Sequence, residues 1–417
     1  MQCLWLTLAD PEPTTNGQLI YSQGLIHAVR SAGADLCVIG LIRAEKATLP
    51  RDEKGLEWRL IGERPQSRRE RLLQELPDVA TRGLSPEMDK MLGRTLRERD
   101  WDAVVFDSIC SGWALQSVLR HRARTRYRPR LVYLAHNHEV TVARRIADGH
   151  RGLRRWQKLF DARKVARLER RLVAEADLVT SNTPEDRRTF MSEAGHTPVA
   201  LLPPGYDGPR IASRAINARL PRRAIVVGSF DWPPKRLSLE RFLAAAARPL
   251  ECDGIELQIV GAVEPGYLRS LRERYPSVDF VGPVDDVGPY MAAARIALVP
   301  DELGGFKLKG LDYVFNRLPI LSMRIALPGM PLRDGQSIGL FETHAELAQG
   351  VVALIDDYAG MNRRQSLAYD ACAARFDWLP IGRHLLRAIG RLGPPRVRAG
   401  APSFATGSAP VPAAAGR

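Results

Sequence analysis

The chain lacks the features that mark membrane, secreted and metal-binding proteins. No apolar run approaches the about 18 residues of a membrane-spanning helix. The opening residues MQCLWLTLADPEP carry no basic segment, so we read them as a first strand and not as a signal peptide. The five cysteines include no C-x-x-C pair and fit no disulfide or zinc framework. We therefore expect a cytoplasmic protein without a metal.

Two nucleotide-binding signatures are also missing. The sequence contains neither G-x-G-x-x-G nor a Walker lysine motif, which argues against a standard dinucleotide or P-loop site. The chain has 61 Lys and Arg against 47 Asp and Glu, a net charge of +14. Such a surplus indicates an anionic partner: a nucleotide, a nucleic acid or an acidic lipid surface. An arginine-rich, GC-rich genome would produce the same surplus without any partner. Since no nucleic-acid motif is present, we do not expect DNA or RNA binding.

What the chain does contain is a regular alternation of apolar runs and helical patterns. The 417 residues, 45% of them apolar, suffice for two domains. This order predicts two parallel sheets, whose strands are expected at 3–8, 35–41, 103–107, 131–135, 178–180 and 199–202, then at 224–227, 256–260, 278–281, 296–299 and 319–322. A helix is expected at 16–32. Residues 44–100 are more polar, and we expect helices and loops there.

The same pattern predicts a domain organisation. It comprises a first domain at 1–206, a linker at 207–221, a second domain at 222–377, a helix at 378–392 that can return to the first domain, and a disordered tail at 393–417. Two doubly wound α/β domains of this kind bind ligands at the carboxyl ends of their strands, in the cleft between them.

The stretch 299–321, VPDELGGFKLKGLDYVFNRLPIL, is the most informative one. A strand ends here, and a Gly304–Gly305 turn leads into a helix that carries Lys307, Lys309 and Asp312. Glycines let the backbone approach a ligand closely, and a helix N-terminus attracts anions. An acid one turn into the helix can bind a pair of hydroxyls. These features indicate a site for phosphates and a ribose.

A second turn follows the first strand of the second domain. The segment 228–236, GSFDWPPKR, carries Lys235 and Arg236, which can neutralise a diphosphate. It can also be an ordinary turn that two prolines fix, with charges on the surface. Further on, the segment 282–287 is a weak candidate for contacting a base or ribose.

Two polar segments of the first domain are further candidates. In the loop 9–17, Gly17 and the following helix N-terminus can bind a phosphate or a sugar, or Asn16 or Thr15 can simply cap the helix. The segment 136–139, HNHE, follows a predicted strand directly. It can bind a metal, hydrogen-bond or exchange protons with a ligand, or be a polar strand end with a helix cap at Asn137; we favour the second reading.

Residues 150–176 combine basic and apolar side chains at helical spacing. A basic amphipathic helix with a tryptophan can bind an anionic membrane surface, such as the inner face of the plasma membrane. The alternative is a core helix with a solvated basic face.

In this order the segments resemble a GT-B glycosyltransferase of the retaining family 4, over residues 1–392. The motifs that carry the resemblance are VVGSFDWPP at 226–234, LQIVG at 257–261, VGPVDDV at 281–287, FKLKGLD at 306–312, HNHE at 136–139 and AEADLVTSN at 174–182. The family often has two glutamates separated by seven residues. Asp312 takes the second position, Gly304 takes the first, and Glu302 lies two residues away.

The resemblance implies transfer of a sugar from a nucleotide-diphosphate donor, with retention, to a saccharide or a lipid-linked acceptor in cell-surface polysaccharide or glycoconjugate synthesis. It needs no cofactor besides the nucleotide sugar. The residues implied as catalytic are His136, Lys235 and Lys309. Those implied in donor binding are Gly228, Ser229, Arg236, Gly261, Val284, Gly304, Gly305, Phe306, Lys307, Leu308 and Asp312. On the acceptor side they are Asn16, Gly17, His138 and Glu139. The alternative is a catalytically silent GT-B protein that acts as a binding or scaffold subunit.

Overall fold

The computed structural model describes residues 1–12, 14, 16–43, 52–64, 70, 74–394 and 396–397. Within them, two parallel sheets with flanking helices form two Rossmann-like domains. Over these residues, the first sheet has seven strands and the second has six. The GT-B architecture predicted from the sequence is therefore the one observed.

The strands are short and lie mostly where apolar runs occur. In the first sheet they are β1 Gln2–Ala9, β2 Asp35–Ile42, β3 Leu56–Gly62, β4 Ala103–Asp107, β6 Arg130–Leu134, β7 Leu178–Ser181 and β8 Val199–Leu201. In the second sheet they are β9 Arg223–Val227, β10 Glu256–Val260, β11 Val278–Gly282, β12 Ile296–Val299, β13 Ile320–Met323 and β14 Gly339–Phe341. The central strands β4, β6 and β12 are buried along their whole length, as expected for strands covered on both faces.

The helices connect these strands. Their bounds are α1 Gly17–Ser31, α2 Asp78–Thr81, α3 Pro86–Glu98, α4 Leu115–Arg124, α5 Glu139–Asp148, α6 Gly152–Glu175, α7 Pro184–Glu193, α8 Pro233–Cys252, α9 Pro265–Arg274, α10 Gly288–Ala293, α11 Leu308–Phe315, α12 His344–Leu354, α13 Tyr358–Cys372 and α14 Trp378–Gly390. A 3-10 helix at Ile109–Ala114 precedes α4.

Side-chain caps fix several helix starts. The Asn16 side chain accepts hydrogen bonds from the backbone amides of Gln18 and Leu19, so it caps α1. Thr183 caps α7 in the same way, and Thr343 and Glu346 form a reciprocal capping box on α12. Thr183 and Thr343 come directly after strand ends, and Asn16 ends the loop that follows strand β1 Gln2–Ala9, so these helix N-termini lie at the carboxyl-end edge of each sheet.

The order of the strands determines where a ligand can bind. The first sheet has the order β3-β2-β1-β4-β6-β7-β8 and the second the order β11-β10-β9-β12-β13-β14. The chain direction across the sheet therefore reverses between β1 and β4 in the first domain and between β9 and β12 in the second. The loops that follow these strands diverge to opposite faces and leave a crevice at their carboxyl ends. Gly17, Lys235 and Lys309 follow strands at these two switch points, whereas Val284 follows the edge strand β11.

The C-terminal helix α14 packs in the core of the first domain. Trp378, Ile381 and Leu385 belong to the apolar cluster around α1. A Cβ on Gly24 would lie 2.1 Å from the Trp378 ring, so α1 needs a residue without a side chain there. Helix α14 therefore crosses from the end of the second domain to the first. The exact domain boundaries given above stay a prediction.

The structure departs from our expectations in three segments. Residues 44–100 contain strand β3, which we did not predict because this edge strand is only half-buried and carries charged residues such as Glu57 and Arg59. The edge strand β14 also lies outside the predicted series. In the expected disordered tail, β15 Arg396–Val397 pairs antiparallel with β5 Tyr127–Arg128; residues 398–417 lie outside the described part.

Candidate active site

Three lysines of the second domain converge at the switch point between β9 and β12. Lys235 comes from the first turn of α8, while Lys307 and Lys309 come from the start of α11. The buried carboxylate of Asp301, directly after β12, accepts a hydrogen bond from Lys309 Nζ at 2.5 Å. Lys307 Nζ donates to the Gly304 carbonyl oxygen at 3.0 Å. The structure therefore brings the three lysines together, and their roles in catalysis and donor binding stay predictions.

The electrostatics of this lysine cluster (Lys235, Lys307 and Lys309) favour an added anion. Burial, with the neighbouring lysines, lowers the pKa of Lys307 to about 8. Burial and the charge of Lys309 also lower the pKa of Lys235. Burial alone would raise the pKa of Asp301, but the three lysines lower it overall. Three lysines thus surround one buried carboxylate, so positive charge is in excess here, and an anion in the cleft would favour their charged forms.

The glycine turns around the cluster keep its backbone accessible. Gly261 has a φ of 130°, and a Cβ there would lie 1.9 Å from the Gly228 carbonyl oxygen. Gly305 has a φ of 93°, and a Cβ there would lie 2.5 Å from Asn137 Oδ1 of the first domain. Positions 261 and 305 therefore require glycine, both for the left-handed backbone and for the close approach.

Asp312 lies apart from the lysines, in a cavity between the domains. This cavity of about 480 Å³ is lined by α1, by residues 205–208 and by the face of α11 that carries Leu308 and Asp312. Burial raises the pKa of Asp312 to about 6, and the Tyr206 hydroxyl partly offsets this effect. Thr14, Gln23 and His27 add polar groups to the wall. A carboxylate with hydroxyl and amide neighbours suits a ligand rich in hydroxyls.

His136 is held by a carboxylate that sequence reasoning missed. Its Nε2 lies 2.6 Å from Asp107 Oδ1, and Asp107 Oδ2 accepts a hydrogen bond from the Trp5 indole at 2.9 Å. The Tyr21 ring contacts the imidazole edge-on at 4.9 Å. Asp107 ends β4, the strand next to β6, so a polar residue at that strand end was the available signal.

The end of the segment 136–139 is hydrogen-bonded to another buried acid, Glu169 of α6. The Glu169 carboxylate accepts hydrogen bonds from the backbone amides of Glu139 and Val140 and from the Tyr133 hydroxyl. Glu169 thus satisfies the N-terminus of α5, and the helix begins at Glu139, not at a cap formed by Asn137. Burial raises the pKa of Glu169 to about 7.

The acceptor-side candidates lie at two places: His138 and Glu139 in the segment 136–139, and Asn16 and Gly17 at the start of α1. His138 is buried between Thr141, at 2.6 Å, and Glu193, at 3.3 Å. Burial raises the pKa of the Glu139 carboxyl. Asn16 is used as the cap of α1, and Gly17 lies across the cleft from Leu308, whose Cδ1 would be 3.7 Å from a Cβ there. Gly17 therefore directly faces the second domain.

Several donor candidates are held by contacts of their own. Arg236 donates to the Phe230 carbonyl oxygen and stacks on Tyr267, and Ser229 donates to Asp231. Phe306 packs on Phe376 at 5.7 Å, and Val284 packs against the core of the second domain. Their roles in donor binding stay predictions.

Glu302, the acid near the family's first glutamate position, pairs with Arg241 at 2.5 Å and lies 3.9 Å from His344. At that position itself, a Cβ on Gly304 would lie 3.6 Å from Arg145 Nη1 of the first domain. Arg145 is a further residue that sequence reasoning missed, since its helix α5 is distant in sequence from the lysine cluster.

The N-terminal half of α6 presents an exposed apolar stripe. Leu153, Trp156 and Phe160, spaced for one helix face, are 75%, 67% and 48% exposed. Arg154, Arg155 and other cations surround them, whereas the C-terminal half of the helix packs in the core. None of the described helices has the length and apolar character needed to span a bilayer. Across the described residues, no group of His, Cys, Asp or Glu could hold a metal ion.

Comparison with known proteins places the chain in a family. The sequence model described as "Glycosyltransferase Family 4" matches residues 15–208, and the one described as "Glycosyl transferases group 1" matches residues 221–357. The chain is also 26% identical over 313 residues to a D-inositol 3-phosphate glycosyltransferase of Nocardia farcinica (strain IFM 10152). That match covers 68% of this chain and 66% of the relative.

Solved structures show the same fold at low identity. Sucrose-phosphate synthase from Thermosynechococcus elongatus has a TM-score of 0.72 at 17% identity, over 94% of this chain and 99% of that one. WaaG, a glycosyltransferase involved in lipopolysaccharide biosynthesis, has a TM-score of 0.64 at 16% identity, with the same coverage. HepE of Anabaena in complex with UDP has a TM-score of 0.61 at 15% identity, over 94% of this chain and all of that one. With both domains matched by family models, the chain belongs to the GT-B glycosyltransferases.

Proposed function

We propose that this glycosyltransferase moves a sugar from a nucleotide-diphosphate donor to a saccharide or lipid-linked acceptor, with retention of the anomeric configuration. The observation that carries the proposal is the lysine cluster, in which three lysines surround the one buried carboxylate of Asp301 where nucleotides bind in doubly wound folds. The HepE structures contain UDP and UDP-glucose, which supports a nucleotide sugar as the donor. The match to the family 4 model supports retention.

In the proposed reaction the lysines stabilise the leaving group. As the bond between the sugar and the diphosphate breaks, negative charge grows on the departing phosphate oxygens. Lys235 and Lys309 would neutralise this charge, without the help of a metal. His136, oriented by Asp107, would contact the sugar, and Asp312 would hold the ribose hydroxyls. Closure of the two domains would exclude water, which competes as an acceptor.

The acceptor side of the proposal includes a membrane surface. The exposed stripe of Leu153, Trp156 and Phe160 lies among arginines, as in helices that rest on anionic lipid. A lipid-linked acceptor would then be presented beside the first domain, at the inner face of the plasma membrane. Flotation with anionic liposomes tests this step: Leu153→Ser with Trp156→Ser should lose binding, and Leu367→Ser with Leu379→Ser, two leucines exposed elsewhere, should not. Equal flotation of both variants would contradict the membrane proposal.

The transfer itself is tested by the release of nucleoside diphosphate from UDP-, GDP- and dTDP-sugars, with proton NMR of the anomeric product. We expect release from at least one donor and a product of unchanged anomeric configuration. Lys309→Met should slow release at least about 10-fold, since a lost contact to a charged group costs about 1.5–3 kcal/mol. Lys90→Met, which removes an exposed lysine of α3, is the matched control. An inverted product would contradict retention alone.

The second candidate function is a catalytically silent donor-binding subunit. It rests on Gly304, which takes the place of the family's first glutamate, and on Glu302, which is engaged by Arg241. This candidate predicts that a nucleoside diphosphate binds but that no donor is cleaved in the presence of any acceptor. Release of the diphosphate would exclude it.

A further inference from the structure

One cation of the first domain reaches the donor site of the second. Arg145 lies on α5, and its Nη1 is 3.6 Å from the place where a Cβ on Gly304 would stand. Gly304 is also the residue whose carbonyl oxygen accepts the hydrogen bond from Lys307 Nζ. The charge of Arg145 also contributes to lowering the pKa of Lys307.

The approach of α5 to the donor loop involves more than one residue. Asn137, in the segment before α5, contacts Gly305, as a Cβ there would lie 2.5 Å from Asn137 Oδ1. At the other end of the helix, a Cβ on Gly149 would lie 3.9 Å from Leu237 of α8. Helix α5 therefore lies against the second domain, with Arg145 next to the turn that leads into α11.

The charges around this point do not balance. Lys235, Lys307, Lys309 and Arg145 face one buried carboxylate, Asp301, and one exposed carboxylate, Asp231, which acts on Lys235. Among the described residues, no carboxylate lies within 4.0 Å of Arg145. Asp148, on the same helix, pairs with Arg155 of α6 at 3.2 Å. Two positive charges thus remain unpaired, and they match the two negative charges of a sugar nucleotide's diphosphate.

We propose that Arg145 binds the diphosphate of the donor across the cleft, which adds a contact from the first domain to the lysines of the second. This inference rests on the proposed function and names a further residue of the same site. Arginine suits the position because its planar guanidinium can make two parallel hydrogen bonds to phosphate oxygens. The bound nucleotide then links the two domains, since its phosphates contact side chains of both.

Calorimetric titration with UDP, GDP and dTDP tests the inference. The variants are then titrated with the diphosphate that binds the wild type. Arg145→Ala should weaken its affinity by about 10-fold to 100-fold, the usual loss for a hydrogen bond to a charged group. Arg144→Ala removes the same charge from the neighbouring exposed position and should stay within about 2-fold of the wild type. Arg145→Lys keeps the charge but not the two-pronged geometry, and should lie between them.

The corresponding nucleoside, which has no phosphate, provides a second readout. Its affinity should be the same in the wild type and in Arg145→Ala, because the guanidinium contacts phosphate only. The thermal midpoint of the unliganded variant should not fall, since alanine is a good helix former at an exposed position. If Arg145→Ala binds the diphosphate as well as Arg144→Ala does, the inference is wrong while the proposed function stands. If the wild type binds none of the three diphosphates, the proposed function fails first.

Discussion

Replacing Asp301 with asparagine tests two effects of charge in the lysine cluster, one on the free energy of unfolding and one on anion binding. Asp301 is 6% exposed, and its partner Lys309 has a side chain that is 14% exposed, so their ion pair is largely shielded from water. Removing one partner of such a pair costs about 3–5 kcal/mol, because the remaining charge is buried alone. The nearby Lys307 and Lys235 add repulsion that Asp301 now offsets. We therefore expect Asp301→Asn to lower the free energy of unfolding by about 3 kcal/mol or more.

The same substitution should strengthen anion binding. Without the Asp301 carboxylate, nothing in the cluster repels the negative diphosphate, and the three lysines lose the buried anion that now offsets their charge. Urea unfolding with and without a nucleoside diphosphate measures both effects, since a ligand at 100 times its dissociation constant stabilises the native state by about 2.7 kcal/mol. At one fixed ligand concentration, the gain in stability should be larger for Asp301→Asn than for the wild type.

An exposed ion pair supplies the control. Asp148 pairs with Arg155 at 3.2 Å, and its side chain is 64% exposed. Asp148→Asn should cost less than about 1 kcal/mol and leave the affinity for the diphosphate unchanged. The reasoning is refuted if Asp301→Asn is as stable as this control, or if it binds the diphosphate more weakly than the wild type.

Three other predictions concern the framework of the site. Because burial raises the pKa of Glu169 from 4.5 to about 7, the native state holds a proton that the unfolded state has released, and stability should fall by about 3 kcal/mol as the pH rises from about 4.5 to about 7. Glu169→Gln should flatten this part of the pH profile in urea titrations; an unchanged slope would contradict the assignment. Gly261→Ala should cost more than about 2 kcal/mol and lower the thermal midpoint, since the φ of 130° is strained for alanine, whereas Gly62→Ala, with open space around it, should not. Gly24→Val should displace Trp378 and make α14 sensitive to protease, and resistance equal to the wild type would show that the helix packs differently.

The sequence was sufficient for the parts of the site that lie within one segment. The Gly304–Gly305 turn, Lys307 and Lys309 follow a buried strand directly, so their place at the sheet edge could be predicted from the order of apolar runs. Lys235 could be predicted in the same way, because it follows the first strand of the second domain. Such predictions succeed since the carboxyl ends of parallel strands meet at one edge.

The sequence was not sufficient for contacts between distant segments. Asp107 meets His136 only because β4 and β6 are neighbours, and Glu169 reaches the start of α5 from the middle of another helix. The position of Arg145 depends on how the two domains face each other, which no local pattern encodes. Strand β3 was missed because a half-buried edge strand with charged residues has a weak apolar signal.

The central claim is that the lysine cluster binds the diphosphate of a nucleotide sugar. Calorimetric titration of UDP, GDP and dTDP into the wild type and into Lys235→Met with Lys309→Met tests it most directly, with Lys90→Met as the control for a lost lysine. The account predicts that at least one diphosphate binds the wild type and the control alike, and that the double variant loses at least about 100-fold in affinity, or about 10-fold for each charged contact removed. Equal binding by the double variant would place the diphosphate elsewhere and contradict the claim.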